Sequence, residues 1–230
     1  TLDAYRAAIA GEAGLCAGTR LRSYIHLGTT GAALVAELAA ALPPRVALLD
    51  APITGGVAKA TAGTLTTIAA GCPETLAAVR AVLDAYSARI VAVGETPGSA
   101  QVMKLVNNIM SLTSLAVACE AMLVGAKAGL DPRLMLEVLN HGSGQSNATL
   151  TKIPLHVLPR SFDFGGSLGI SLKDSGQFLQ EAEAAGLSVE ICRAVAAAYH
   201  RAAAQEGTAA DMTAVIRPME RAAGFEMPAT

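Results

Sequence analysis

The sequence predicts an α/β unit over residues 1–95 followed by an all-helical unit over 96–230. Two observations carry this. In the first 95 residues, short apolar or β-branched runs alternate with stretches of helical periodicity, the pattern of a mostly parallel, doubly wound sheet. From Gly98 onward every periodic stretch has helical spacing, beginning with one that runs unbroken to Gly129.

Each element has its own warrant. Thr1-Leu2-Asp3-Ala4-Tyr5 lacks an initiator Met and reads as the middle of a helix. Ser23–Leu27 is the first candidate strand. Leu34, Val35, Leu38 and Leu42 then space a helix over Gly31–Leu42, which Pro43-Pro44 stops. Val46–Leu49 is a second strand, broken by Asp50-Ala51-Pro52. Thr64–Ala70 is β-branched and closed by Gly71, a third strand. Pro73 suits the first turn of a helix to Tyr86, and Arg89–Val93 is a fourth strand. Glu95-Thr96-Pro97-Gly98 marks the boundary. The Gly98–Gly129 pattern would span roughly 45 Å as a helix, so it runs through a domain or across a dimer. Asp131-Pro132 caps a helix that Gly142 stops after His141. Ser146–Val157 is a further helix with a weaker pattern, and Pro159–Gly169 reads as a Gly-rich loop. Ser171-Leu172-Lys173-Asp174 fits a capping box that opens a helix to Ala185. Gly186 breaks it; Ser188–Glu206 and Asp211–Ala222 follow.

Composition narrows the function. With 52% hydrophobic and 16% charged residues, the chain has enough apolar material for a core and is not disordered. The 17 Lys and Arg against 19 Asp and Glu leave no basic arm, so no nucleic-acid partner is expected. The 3% aromatic content, with no Trp, also gives no base-stacking platform. Cys16, Cys72, Cys119 and Cys192 show no CxxC spacing, which speaks against a zinc ribbon or redox motif and suits a reducing cytoplasm. No eighteen-residue uninterrupted apolar run or signal segment is present, so no membrane association is expected. His26, His141, His156 and His200 lack ligand spacing, so no metal site is expected, and there is no GxSxG nucleophile elbow.

Three places could carry chemistry. In Asp50-Ala51-Pro52-Ile53-Thr54-Gly55-Gly56, a glycine pair beyond a strand exposes N–H groups to an anion such as a carboxylate, and the Thr54 hydroxyl could add a bond; an ordinary turn explains the same residues. At the start of the long helix, Gln101, Lys104 and Asn108 share one face. A Lys in the second helical turn faces the positive end of the helix dipole. It is therefore solvated or has a depressed pKa, as a general acid/base at neutral pH requires. Lys173 beside Asp174 is a third candidate: a cation near a helix start that an anion would explain, or a surface Lys whose neighbour caps. Thr29-Thr30 follow the first strand, where α/β ligands sit, or cap the next helix. Ser143-Gly144-Gln145-Ser146 could lid a pocket or link helices.

These segments together resemble the β-hydroxyacid dehydrogenases, among them 3-hydroxyisobutyrate dehydrogenase and tartronate semialdehyde reductase. The family's DAPVSGG loop corresponds to Asp50–Gly56, with Thr54 for its usual Ser, and its GxLxxxxGG segment to Gly63-Thr64-Leu65 through Gly71 and Cys72. Its GxGxxxKxxNN helix start corresponds to Gly98, Lys104 and Asn107-Asn108. Lys127–Pro132 matches KAGLDP, and Lys173-Asp174-Ser175 matches the KDL-type motif. The resemblance implies a partial Rossmann-type sheet with a helical domain like the C-terminal domain of 6-phosphogluconate dehydrogenase. It implies hydride exchange between NAD or NADP and a small 3-hydroxy acid or its semialdehyde. It makes Lys104 the general acid/base, Asn108 with Asn107 the orienting pair, and Thr54, Gly55 and Gly56 the carboxylate site. Thr29 and Lys173 lie on the cofactor side by the same resemblance.

Departures exist. His26 and Gly28 replace the family's Asp and Ser. Only twenty-eight residues precede Thr29, whereas the family's GxGxxG fingerprint lies about seventy residues before it. The first βαβ unit is therefore expected to be missing, the chain to be truncated or incompletely reported, and its dinucleotide binding to be impaired. Two other readings remain: a non-catalytic oligomerisation member, which would be expected to have lost Lys104, and an imine reductase, which usually carries Asp or Tyr there. The long helix and Ala-rich surfaces suggest a homodimer or homotetramer.

Overall fold

The computed structural model describes residues 2–229. They form two compact units that part at Val106/Asn107. In the first, α1 (Leu2–Ala10), α2 (Ala32–Ala41), α3 (Gly56–Thr61) and α4 (Pro73–Asp84) accompany β1 (Ser23–His26), β2 (Ala47–Asp50), β3 (Ile53–Thr54), β4 (Leu65–Ala70) and β5 (Ser87–Gly94). β1 pairs parallel to β2, with Ser23 opposite Ala47 and His26 opposite Asp50. β4 pairs parallel to β5. Between these pairs the direction reverses. β2 and β3 run along β4 antiparallel as one bent strand, with Asp50 opposite Ala70 and Ile53 opposite Thr67. Pro52 makes the bend, and its carbonyl accepts from the Ile68 N–H at 2.9 Å. The sheet is thus mostly parallel, as the sequence predicts, with an antiparallel junction at β4 that the sequence does not announce: β3 is two residues long and α3 six, too short to show periodicity.

Side-chain alternation splits β1 and β2 between two cores. Tyr24 and Leu48 face Ile9, Leu34, Leu38 and Leu42 of α1, α2 and the α2 terminus. Ile25 and Leu49 face Val79 and Leu83 of α4. Helices therefore cover both faces of the sheet.

The long helix α5 (Ser99–Lys127) starts in the first unit and continues through the second. By length and composition it is long and apolar enough to cross a membrane, although its apolar residues are interrupted by polar ones. Half of its most apolar stretch is buried inside the chain. Leu112, Leu115, Cys119, Met122 and Leu123 enter a core with Tyr199, Ile216 and Val157. The Tyr199 hydroxyl donates to the Leu112 carbonyl at 3.1 Å.

α6 (Pro132–His141) has the predicted limits, with the Asp131 carboxylate accepting from the Arg133 N–H at 2.7 Å. The weak helical stretch after it is a π-helix, Ala148–Val157, with Pro154 inside. The Leu158 N–H reaches the Ile153 carbonyl five residues back, at 2.9 Å. α7 (Leu168–Ala184) corrects the capping box: Ser167, not Ser171, caps it, accepting from the Ile170 N–H at 3.2 Å. Asp174 therefore lies inside the helix and caps nothing. α8 (Glu190–Glu206), a 3-10 turn at Met212–Val215 and α9 (Ile216–Ala223) complete the unit.

Candidate active site

In the first unit, a buried polar network joins the carboxyl ends of β1 and β2 to the start of α5. Asp50, wholly buried, accepts from the Gly98 N–H at 2.9 Å, the Gln101 N–H at 3.3 Å and Gln101 Nε2 at 2.7 Å. Gln101 Nε2 also donates to the Gly28 carbonyl at 3.0 Å. Gln101 Oε1 accepts from the Thr30 and Gly31 N–H groups at 2.8 and 3.3 Å. All four of its hydrogen-bonding positions are thus used. Burial pushes the Asp50 carboxyl above its usual range, against the hydrogen bonds that favour the charged form. Gly98 enters α5 at φ 103°, where a Cβ would stand 3.2 Å from that of Ala32.

His26 lies beside this network. One ring nitrogen meets the Tyr24 hydroxyl at 2.9 Å and the other the Thr30 hydroxyl at 2.8 Å. Burial lowers its pKa to about 4, so it is neutral at physiological pH. Lys104 follows Gln101 by nearly one turn, and only 9% of it is exposed. Thr54 is half-buried on β3; Gly55 and Gly56 are exposed at φ 142° and 73°. A side chain on Gly55 would also stand 2.9 Å from Lys59 Cβ. Thr29 is half-buried in the loop after β1.

In the second unit, Asn107 Nδ2 donates to Asn108 Oδ1 at 3.1 Å, and Asn108 Nδ2 donates to Asp174 Oδ2 at 2.7 Å. Lys173 Nζ reaches Asp174 Oδ1 at 2.5 Å and Gln177 Oε1 at 3.4 Å. Asp174 is buried, while Lys173 keeps 43% of its side chain exposed. Asn108 is thereby fixed in orientation and retains one N–H for a further acceptor. The structure brings Asn107, Asn108 and Lys173 together around Asp174, which the sequence reading had assigned to a cap.

Two buried polar side chains have partners that the sequence does not disclose: Gln101, legible only as a member of the Lys104 face, and Lys152. Lys152, on the π-helix, is 1% exposed. Its Nζ donates to Ser111 Oγ at 2.6 Å and lies 5.2 Å from the centroid of the Phe164 ring. Burial lowers its pKa to about 8. Nothing in the local sequence distinguishes it from a surface Lys.

Thr29 follows the carboxyl end of a parallel strand, where ligands of α/β sheets sit. Among the described residues, no three His, Cys, Asp or Glu side chains gather as metal ligands.

Known proteins resemble this chain in sequence and in fold. Residues 98–219 match the family described as NAD-binding of NADP-dependent 3-hydroxyisobutyrate dehydrogenase. Residues 2–94 match the NAD binding domain of 6-phosphogluconate dehydrogenase. The chain is 28% identical to L-threonate dehydrogenase of Cupriavidus necator over 79% of its own length and 60% of that protein. It is also 28% identical to 2-(hydroxymethyl)glutarate dehydrogenase of Eubacterium barkeri over 78% of its length and 59% of that one. It thus spans about three fifths of each. The structure of Mycobacterium tuberculosis 3-hydroxyisobutyrate dehydrogenase with L-serine superposes with a TM-score of 0.81 at 27% identity, covering 89% of this chain and 72% of that one. Sequence motifs, mixed sheet, long helix and family matches converge: the chain belongs to the β-hydroxyacid dehydrogenase family.

Proposed function

We propose that the protein transfers a hydride between NAD or NADP and a small 3-hydroxy acid or its semialdehyde. The observation that carries this is Lys104, buried on α5, followed one turn later by an Asn108 whose amide is already fixed by Asp174. Bound nicotinamide supplies the hydride acceptor or donor. Lys104, as the neutral amine, takes the substrate hydroxyl proton as the carbinol carbon loses hydride; as the ammonium, it returns that proton to the carbonyl oxygen in reduction. The remaining Asn108 N–H orients the substrate oxygen. Thr54 and the N–H groups of Gly55 and Gly56 hold the carboxylate, and Thr29 and Lys173 contact the cofactor.

The test is Lys104→Ala, with Lys104→Met as a variant that preserves the apolar stem. Turnover should fall by about 10²–10⁴, with an unchanged unfolding midpoint in the Met variant. Near-normal turnover in both would refute the role.

We also propose a two-fold dimer through α5, in the cytoplasm. Met110, Val117 and Val124 recur at intervals of seven residues and are 62%, 54% and 72% exposed. This is an apolar stripe that a second copy would cover. The four unpaired cysteines fit a reducing compartment. Equilibrium sedimentation that shows a monomer at micromolar concentration would contradict the dimer.

A further inference from the structure

Lys104, Asn108 and Ser111 occupy positions i, i+4 and i+7 of α5 and so share one face. Ser111, half-buried, accepts from the Lys152 ammonium at 2.6 Å. Its own hydroxyl proton then points away from Lys152 and has no acceptor among the described residues, whereas the neighbouring Ser114 hydroxyl donates to the Met110 carbonyl at 2.8 Å.

The ammonium has no carboxylate within ion-pairing distance among the described residues. What faces it is the Phe164 ring, the Cys119 thiol and, more remotely, Asp211. The thiol is neutral, its pKa pushed up to about 12 by burial. Asp211 is committed to the Thr213 hydroxyl at 2.6 Å and the Gly165 N–H at 2.8 Å. His156 pairs with Asp163 at 2.7 Å. Buried cations are normally paired, and an apolar side chain would fill this place at lower cost. The residue is held on a ten-residue π-helix, a rare backbone form. The pair thus ends in a hydroxyl donor, backed by a positive charge, on the face that bears the proposed acid/base.

We propose that Ser111, with Lys152 behind it, binds a second carboxylate at the far end of the substrate, so that the protein's substrates are hydroxy dicarboxylates. Ser111 makes the contact and Lys152 supplies the charge that selects an anion over a methyl or hydroxymethyl group. The inference rests on the hydride-transfer reading, because it takes the Lys104 face to be the substrate face.

Calorimetric titration of the full chain with 2-(hydroxymethyl)glutarate, 3-hydroxyisobutyrate and glutarate tests it. The dicarboxylate should bind about tenfold or more tighter than the monoacid, the worth of one charge-backed hydrogen bond. Lys152→Met should erase that preference, bringing the dicarboxylate to the affinity of the monoacid. Ser111→Ala should reduce it and covers the case in which Lys152→Met fails to fold. Equal affinity for the two hydroxy acids, or a preference that survives both substitutions, would overturn the proposal while leaving hydride transfer standing. Glutarate that binds in a Lys152-dependent way, with neither hydroxy acid bound, would keep the anion site and refute the hydroxy-acid reading. No binding of any of the three refutes both.

Discussion

Replacing Lys152 by Met should make the protein more stable, and by an amount that depends on pH. The cause is burial of an ammonium whose pKa is lowered from 10.5 to about 8. The unfolded chain therefore holds this proton more tightly than the folded one. Between pH 8 and 10.5 the unfolded state binds more protons, so stability rises with pH across that window. Below pH 8 the cost of keeping the charge is fully present. At 1.36 kcal/mol per pH unit, the displacement from 10.5 to about 8 is worth about 3 kcal/mol at pH 7 and about 2 kcal/mol at pH 9. Met is unbranched, fills similar space and carries no charge. It forfeits the Ser111 hydrogen bond, about 1 kcal/mol. The variant should thus gain about 2 kcal/mol at pH 7 and about 1 kcal/mol at pH 9. The assay is urea unfolding of both proteins at the two pH values, followed by far-UV circular dichroism. The difference between the proteins isolates this site from the other groups that titrate in the same range. A variant less stable than the parent at pH 7, or a difference that does not shrink by pH 9, would refute the burial argument.

Two further outcomes follow from the first unit. His26 is buried neutral with its pKa lowered to about 4. The unfolded chain binds more protons between pH 4 and 6.5, so about 3 kcal/mol of stability should be lost as pH falls through that range; His26→Gln should flatten that part of the acid unfolding profile, and an unchanged slope would count against it. Gln101→Leu removes four hydrogen bonds and leaves Asp50 without its side-chain partner. Thermal unfolding should show a loss of about 3 kcal/mol or more, whereas a loss below about 1 kcal/mol would show that water replaces the amide.

How far the sequence discloses this protein depends on how local each determinant is. α6 has the limits predicted because its start is written in adjacent residues, Asp131-Pro132, and its stop in Gly142. α5 is legible for a similar reason: an uninterrupted apolar period with no proline. The start of α7 is ambiguous in the sequence because Ser167 and Ser171 could each cap it, and the structure settles on Ser167, next to a distant contact. Leu168 N–H donates to the Ala210 carbonyl at 2.7 Å, and that bond ties the helix start to a loop forty-two residues away. The reversal at β4 was hidden because β3 is too short for a two-residue alternation to register.

The same rule sorts the candidate site. Lys104 and Asn108 could be paired from sequence because a helix places positions i and i+4 on one face. Their supports could not. Asp174 reaches Asn108 across sixty-six residues, Gln101 reaches Asp50 across fifty-one, and Lys152 reaches Ser111 across forty-one. Apolar spacing does not separate a four-residue from a five-residue hydrogen-bond repeat over ten residues, so the π-helix that buries Lys152 reads as a weak α-helix. A site's reacting groups can thus be legible in sequence while the groups that set its selectivity are not. In this chain the proposed reacting groups, Lys104 and Asn108, are spaced along one helix, whereas Lys152, proposed to select an anion, is brought to that helix by packing.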